Sequence, residues 1–384
     1  MKVVHVINSM SSTHGGPALT TLLTVKGLNR LGVDTQILTK ELLPGENPVS
    51  EEPFIRYLPL SRLYCERWGY SRSFPEALST TPSVDIFHIQ ELWQYPGYAT
   101  SKCARKRGCP YLVTLRGGLY PEALKHSALI KKIALSLYER RLLQKAACIH
   151  VTCVEELKHY RALGFTNPVA VIPNPLELCN VESSLFTDGK KRIGYLGRLH
   201  PRKRVERLLE VWSRLHEPGE LLIMGDGEPD YLAFLKKEVN RLQLSTVRFS
   251  GWISGVEKNR MIASLTSLVV PSDFENFGMI VAEALLQKVP VIATAGSPWQ
   301  ELESHTCGWW VGNDVDTLTA TVGEVLELNA GILHEMGDRG RKLILKKYGI
   351  DTIARQMKDL YDWITGNAVK PDFVFERTDL SERK

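Results

Sequence analysis

The side chains best placed to do chemistry lie in the stretch PSDFENFGMIVAEALL, residues 271–286. Two carboxylates, Glu275 and Glu283, stand eight positions apart and flank an apolar run broken by Gly278. The run before them ends as a strand at Pro271-Ser272, and a helical pattern begins near Gly278. Glu275 then falls in a strand-to-helix loop and Glu283 in the helix. The backbone N–H groups of Phe277, Gly278 and Met279 are unpaired at such a helix start, and with the positive helix end behind them they suit an anion. Gly278 allows close approach of a ligand to the backbone. A carboxylate can accept two hydrogen bonds from a vicinal diol. A sugar nucleotide carries a diol on its ribose and commonly another on its sugar, with a diphosphate between. One glutamate per end and N–H groups in the middle fit that ligand. On the plainer reading Glu275 is a loop residue and Glu283 a solvated or ion-paired helix position.

A leaving nucleoside diphosphate needs its growing charge neutralised. Arg198 follows a strand end in RIGYLGR, and Lys203 opens the next helix. An Arg can fork onto two phosphate oxygens, and a Lys acts as a point charge. The plainer reading is surface charge in a stretch that also holds Arg202 and Arg204.

The elements that must position these groups read as follows. The apolar run Val3 to Ile7 is a buried strand, a loop ends in His14-Gly15-Gly16, Pro17 suits the first helical position, and Gly32 closes the helix. Strands follow at TQIL, VDIFHI, YLVTL, CIHVT and VAVIP, with helical patterns between most of them, notably over 125–145. Periodicity lapses over 176–192. Alternation then resumes with strands RIGYLG, ELLIMG, VRFSG, SLVVPS and PVIATA, and helices are expected at about 203–215, 230–242, 257–265, 278–287, 316–328, 331–347 and 351–365. Strands alternating with helices predict two parallel α/β domains, 1–178 and 190–350, meeting across a cleft, with a polar, frayed tail over 366–384.

Composition sets bounds. The chain has 384 residues, 43% hydrophobic and 24% charged, as a soluble globular protein has. It has no apolar run of spanning length and no signal-peptide pattern at its start, and its seven cysteines form no CxxC pair; a cytoplasmic protein with reduced thiols is expected. Net charge is +5. It is concentrated in the first half, where residues 1–185 hold 21 Lys and Arg against 15 Asp and Glu. That points to an anionic partner, although no interleaved basic and aromatic motif for nucleic acid occurs. Lys125 to Lys145 holds six Lys or Arg, His126 and one Glu, with Leu129, Ile133 and Leu137 in an apolar stripe. Such a helix either buries the stripe on the sheet or also docks its basic side on anionic lipid. GxGxxG, GxxxxGK[ST], HExxH and GxSxG are absent. Asp314-Val315-Asp316 spells D-x-D, yet it directly precedes a helical run, so Asp316 reads as an N-cap and no metal is expected.

Over about residues 1 to 365 the chain resembles the retaining sugar-nucleotide glycosyltransferases of family 4, which have the two-domain GT-B fold. PSDFENFGMIVAEALLQKVPVIAT resembles that family's E-x7-E signature, GYLGRLHPRKRVERLLEVW its Gly-Arg-Leu stretch with Arg198 and Lys203, IMGDGEPDY its Gly-Asp-Gly turn, STHGGPALTTLL its N-terminal glycine loop, PVAVIPNP its linker entry with Pro175 in place of Gly, and ELESHTCGWWV a subgroup pattern. The resemblance implies retaining, metal-independent hexosyl transfer from a UDP- or GDP-sugar to a saccharide or lipid-linked acceptor. It puts Arg198, Lys203, Glu275 and His88 in catalysis and Gly15, Gly16, Gly225, Asp226, Ile253, Phe277, Gly278, Met279 and Glu283 around the donor. Ile253 would serve the base through its backbone. Arg116 and Glu156 are acceptor-side candidates. His88 stands where the family often shows His-x-His, but the second position here is Gln90. The last helix, 351–365, would cross back to the N-domain. A nucleotide-sugar epimerase of the same fold and a silent nucleotide-sugar-binding subunit are the alternatives.

Overall fold

The structure, a computed structural model, describes residues 1–60, 68–125, 127–182 and 189–376. His126, linker residues 183–188 and tail residues 377–384 lie outside the described residues. The chain divides into two units, one of 1–177 with 350–384 and one of 178–349.

In the first unit the strands are β1 (Lys2–Val6), β2 (Asp34–Lys40), β3 (Ile55–Leu58), β4 (Ile86–Ile89), β5 (Tyr111–Thr114), β6 (Cys148–Val151) and β7 (Val169–Val171). In the second they are β8 (Arg192–Leu196), β9 (Glu220–Met224), β10 (Val247–Gly251), β11 (Ser267–Val270), β12 (Val291–Thr294) and β13 (Gly308–Val311). A last strand, β14 (Val374–Phe375), returns to the first sheet. The sheet orders among the described residues are β14-β7-β6-β5-β4-β1-β2-β3 and β10-β9-β8-β11-β12-β13. Every pairing is parallel except that of β14 with β7. Central strands such as β4, β5 and β8 are buried at every position, which is why they read as unbroken apolar runs. The strand order reverses between β1 and β4 in one sheet and between β8 and β11 in the other. The crevices above the carboxyl ends of those strand pairs are where open α/β sheets bind ligands.

The helix Ile350–Ile364 belongs to the first unit. It packs on the helix Gly16–Arg30, where a Cβ at Gly27 would lie 2.7 Å from the Ala354 and Ile350 side chains. Ile353, Met357, Leu360 and Tyr361 are buried with β-strand residues Val3, Ile86 and Leu112. At about 1.5–3 kcal/mol for each large apolar side chain, that face holds the helix firmly.

Three expectations are corrected. The 125–145 helix is broken into Pro121–Lys125, Ala128–Ala134, a π-turn Leu135–Glu139 and Arg140–Gln144, with Ser127 left-handed (φ 54°) between the first two. Within the expected tail, Val374–Phe375 forms β14, where Val374 is buried and Val171 N donates to Phe373 O at 2.9 Å. The helix Val315–Glu327 is capped by Asp314, whose Oδ1 accepts from Thr317 N at 2.8 Å, while Asp316 pairs with Arg214 at 2.5 Å.

Candidate active site

In the second unit the loops after β8 and β11 converge, because these are neighbouring strands at the point of reversal. The β8 loop carries Arg198 and a short 3-10 turn, Pro201–Lys203. The β11 loop carries Asp273 and Glu275 into the helix Met279–Leu286. Lys203 Nζ and Glu275 Oε1 form a close ion pair, and both side chains are nearly buried. Glu275 Oε1 also accepts from Ser272 Oγ at 2.7 Å, and Glu275 N donates to Gly296 O at 2.8 Å. Asp273 draws the two loops together by accepting from Arg204 Nε at 2.5 Å and Arg207 Nη1 at 2.6 Å. These contacts hold its carboxyl below the usual range, against the opposing effect of burial. Arg198 is 71% exposed and makes a long ion pair of 3.9 Å to Glu228. Its backbone is fixed by Tyr195, whose hydroxyl donates to Arg198 O at 3.0 Å.

Gly278 caps the helix Met279–Leu286 with φ 77° and no side-chain cap, leaving the first-turn N–H groups available. A left-handed residue with a Cβ 3.3 Å from Trp299 Nε1 would be strained, so glycine is required there. Trp299 is buried and donates to Phe277 O at 2.5 Å, which sets the angle of the loop. Phe277 is buried and Met279 partly so. Glu283 lies one turn into the helix and pairs with Lys258 at 3.0 Å. It is thus ion-paired, as the plainer sequence reading had it.

Gly225 and Gly227 stand where two loops approach closely. A Cβ on Gly225 would meet Gly197 O at 2.1 Å, and one on Gly227 would meet Leu199 O at 1.9 Å. The two loops touch backbone to backbone, and side chains would part them. Asp226 is exposed, with its Oδ1 accepting from Gly227 N at 2.8 Å. Ile253 is 8% exposed, after the end of β10.

In the first unit the loops after β1 and β4 meet at the other reversal. Gly15 (φ 76°) and Gly16 are exposed at the start of the helix Gly16–Arg30, which has no side-chain cap. His14, just before them, hydrogen-bonds through Nε2 to Glu91 Oε1 from the β4 loop. Burial alone would lower the His14 pKa, but the hydrogen bond and charge of Glu91 outweigh it and raise it. Arg116 sits below, left-handed at φ 49°. It donates to Gln90 O (2.9 Å), Gln90 Oε1 (2.7 Å), Thr20 Oγ1 (2.7 Å) and Thr21 Oγ1 (3.0 Å). Burial pushes it down to about 10.

Two candidates lie deep in the core of the first unit. His88 is 1% exposed, and both ring nitrogens are used inside the core, Nδ1 with Tyr361 OH at 2.7 Å and Nε2 with Thr114 Oγ1 at 2.6 Å. It is one link of a buried polar chain that continues from Thr114 to His150 and from Tyr361 through His5 to Gln90. Burial holds His5 at about 3 and His150 at about 4. Glu156 is also 1% exposed; it accepts from Gly117 N and from Thr152 N (2.9 Å), tying the Arg116-Gly117 turn to the helix Val154–Ala162. His14, Glu91, Asp273, Lys258 and Trp299 were not found by sequence reasoning. Only Asp273 and His14 lay within stretches already singled out, and nothing local marked their partners.

Residues 15–175 match the family described as a glycosyl transferase 4-like domain, and residues 180–343 match glycosyl transferases group 1. The chain thus carries a glycosyl transferase 4-like domain followed by a group 1 glycosyltransferase domain. An uncharacterized glycosyltransferase of Methanocaldococcus jannaschii is 25% identical over 381 residues, covering 90% of this chain and 94% of that protein. The sucrose-phosphate synthase of Thermosynechococcus elongatus superposes with a TM-score of 0.80 at 20% identity, covering 96% of this chain and all of that one. The Anabaena HepE protein in complex with UDP-glucose gives 0.75 at 17% identity, over 94% of this chain and all of that one. These glycosyltransferase neighbours identify the fold as GT-B. Among the described residues of this glycosyltransferase no three His, Cys, Asp or Glu side chains stand together as a metal site, and no helix is long and apolar enough to cross a membrane.

Proposed function

We propose that this glycosyltransferase moves a hexosyl group from a UDP- or GDP-sugar to a saccharide or lipid-linked acceptor, with retention at the anomeric carbon and without a metal ion. The setting would be the cytoplasmic face of a cell membrane, in the assembly of a bacterial surface polysaccharide such as lipopolysaccharide, O-antigen or capsule. The observation that carries the reading is the Lys203–Glu275 pair above the carboxyl ends of β8 and β11. A cation and a carboxylate joined there can part onto a donor: the ammonium to a diphosphate oxygen, the carboxylate to the sugar hydroxyls. Arg198, exposed and loosely paired, is free to swing onto the same diphosphate, where charge grows as the bond breaks. The N–H groups behind Gly278 face the phosphates, and Glu283 takes the ribose. Gly225, Asp226 and Ile253 border the nucleotide. In same-face attack the leaving phosphate takes the acceptor proton, so no side chain need act as nucleophile. The acceptor falls to the first unit, beside Arg116, while Gly15 and Gly16 serve the donor.

A thermal-shift screen with nucleoside diphosphates and nucleotide sugars tests this. The matching nucleotide at 100 times Kd should stabilise by about 2.7 kcal/mol. Transfer from that donor should survive excess EDTA, and the product should keep the donor's anomeric configuration by NMR. An inverted product, or activity lost to EDTA and restored by manganese, would overturn the mechanism.

A further inference from the structure

The apolar stripe of the 128–144 segment faces the opposite way from the one packing would require. Leu129 is 72% exposed, Ile130 51%, Ile133 49% and Leu137 75%. The inward side is made instead by Ala134, Leu142 and Leu143, with the π-turn Leu135–Glu139 lying between the two helical pieces. Four large aliphatic side chains within nine residues therefore stand together on the surface, which a soluble protein seldom keeps without a use for them.

The charge around them has one sign. Lys132, Arg140, Arg141 and Lys145 are exposed. Glu139, the single acidic residue between Lys125 and Lys145, is turned inward at 1% exposure and accepts from Trp93 N at 2.5 Å. The outer face of the segment therefore carries no carboxylate. Lys131 is used internally: its Nζ donates to Ala123 O at 2.5 Å and lies 5.7 Å over the Trp93 ring.

We infer that this face seats on an anionic lipid bilayer, with Leu129, Ile130, Ile133 and Leu137 entering the acyl boundary and Lys132, Arg140, Arg141 and Lys145 resting among the headgroups. An aliphatic stripe edged by cations is complementary to a surface that is apolar within and negative at its rim. A second copy of this chain would set like charges against one another, so it is the poorer occupant. The assignment does not depend on the transfer chemistry.

The full chain is mixed with vesicles of phosphatidylcholine alone and with vesicles about a third phosphatidylglycerol, near physiological salt, and sedimented. Two variants accompany it, Leu129→Ser/Leu137→Ser and Lys132→Gln/Arg140→Gln/Arg141→Gln. Their melting temperatures should match the parent, since the changed side chains are exposed. The parent should bind the anionic vesicles and leave the neutral ones. The serine variant should bind at least tenfold more weakly, and the glutamine variant about fivefold more weakly per charge removed. Parent protein that ignores anionic vesicles, binds both kinds equally, or binds no better than the serine variant would overturn the inference. So would a parent dimer, seen by analytical ultracentrifugation, that the serine variant dissolves; the face would then join two copies.

Discussion

Lys203 and Glu275, 72 residues apart in the chain, form an ion pair with side chains only 14% and 8% exposed. Its strength is testable without any substrate. Removing one partner from a nearly dry pair strands the other charge. Lys203→Ala should therefore cost about 3 kcal/mol of unfolding free energy, and Lys203→Ala/Glu275→Ala less than the sum of the single changes. Denaturant melts of the three variants give the coupling; single losses that simply add would show that the two charges do not sense each other.

The two carboxylates should separate in binding. Glu283 is assigned to a part of the donor that does not react, so Glu283→Ala should weaken nucleoside diphosphate by about 1.5–3 kcal/mol. Glu275→Ala should leave diphosphate affinity nearly unchanged and lower kcat/KM. Arg198→Ala should lower kcat by about 10²–10³. Calorimetry beside transfer rates distinguishes them, and equal losses of diphosphate affinity in both glutamate variants would refute the division.

His14 and Glu91 give a titration with a defined sign. The folded pKa of His14 is raised above the unfolded value of about 6.5. The pair's contribution is thus fully present below that value and lost as pH rises through the folded pKa. Imidazole NMR should show His14 titrating above 6.5 in the parent and lower in Glu91→Gln. The groups facing His14 besides Glu91 are Arg116 and Lys40, both of which oppose its charge.

The buried histidines run the other way. His5 and His150 are depressed to about 3 and about 4, and His88 lies well below its ordinary value, in each case chiefly through burial. Below about pH 6.5 the unfolded chain binds protons that the fold excludes, so stability falls as pH falls. The slope is about 1.4 kcal/mol per pH unit for each histidine. The melting temperature should drop clearly from pH 7.5 to 5; a flat profile would contradict three neutral rings. Tyr361→Phe, which removes the hydroxyl shared by His88 and His5, should cost about 1–3 kcal/mol.

Much of this architecture was legible in the order of residues. Strand β4, IFHI, and strand β11, SLVV, announce themselves because a strand covered on both faces must be apolar throughout. The loop after β11 was legible because helix starts and left-handed glycines such as Gly278 depend on neighbours only a few residues away. Periodicity also gave the Leu129–Ile133–Leu137 stripe. It could not say whether the rest of the chain covers that stripe or its opposite side, since a pattern fixes a face only relative to its own helix axis. Tertiary packing chose Ala134, Leu142 and Leu143. It likewise enclosed His88 beneath Tyr361 and joined His14 to Glu91 across 77 residues. Partners of that kind are set by which strand ends lie side by side in the sheet, and no local spacing encodes that order.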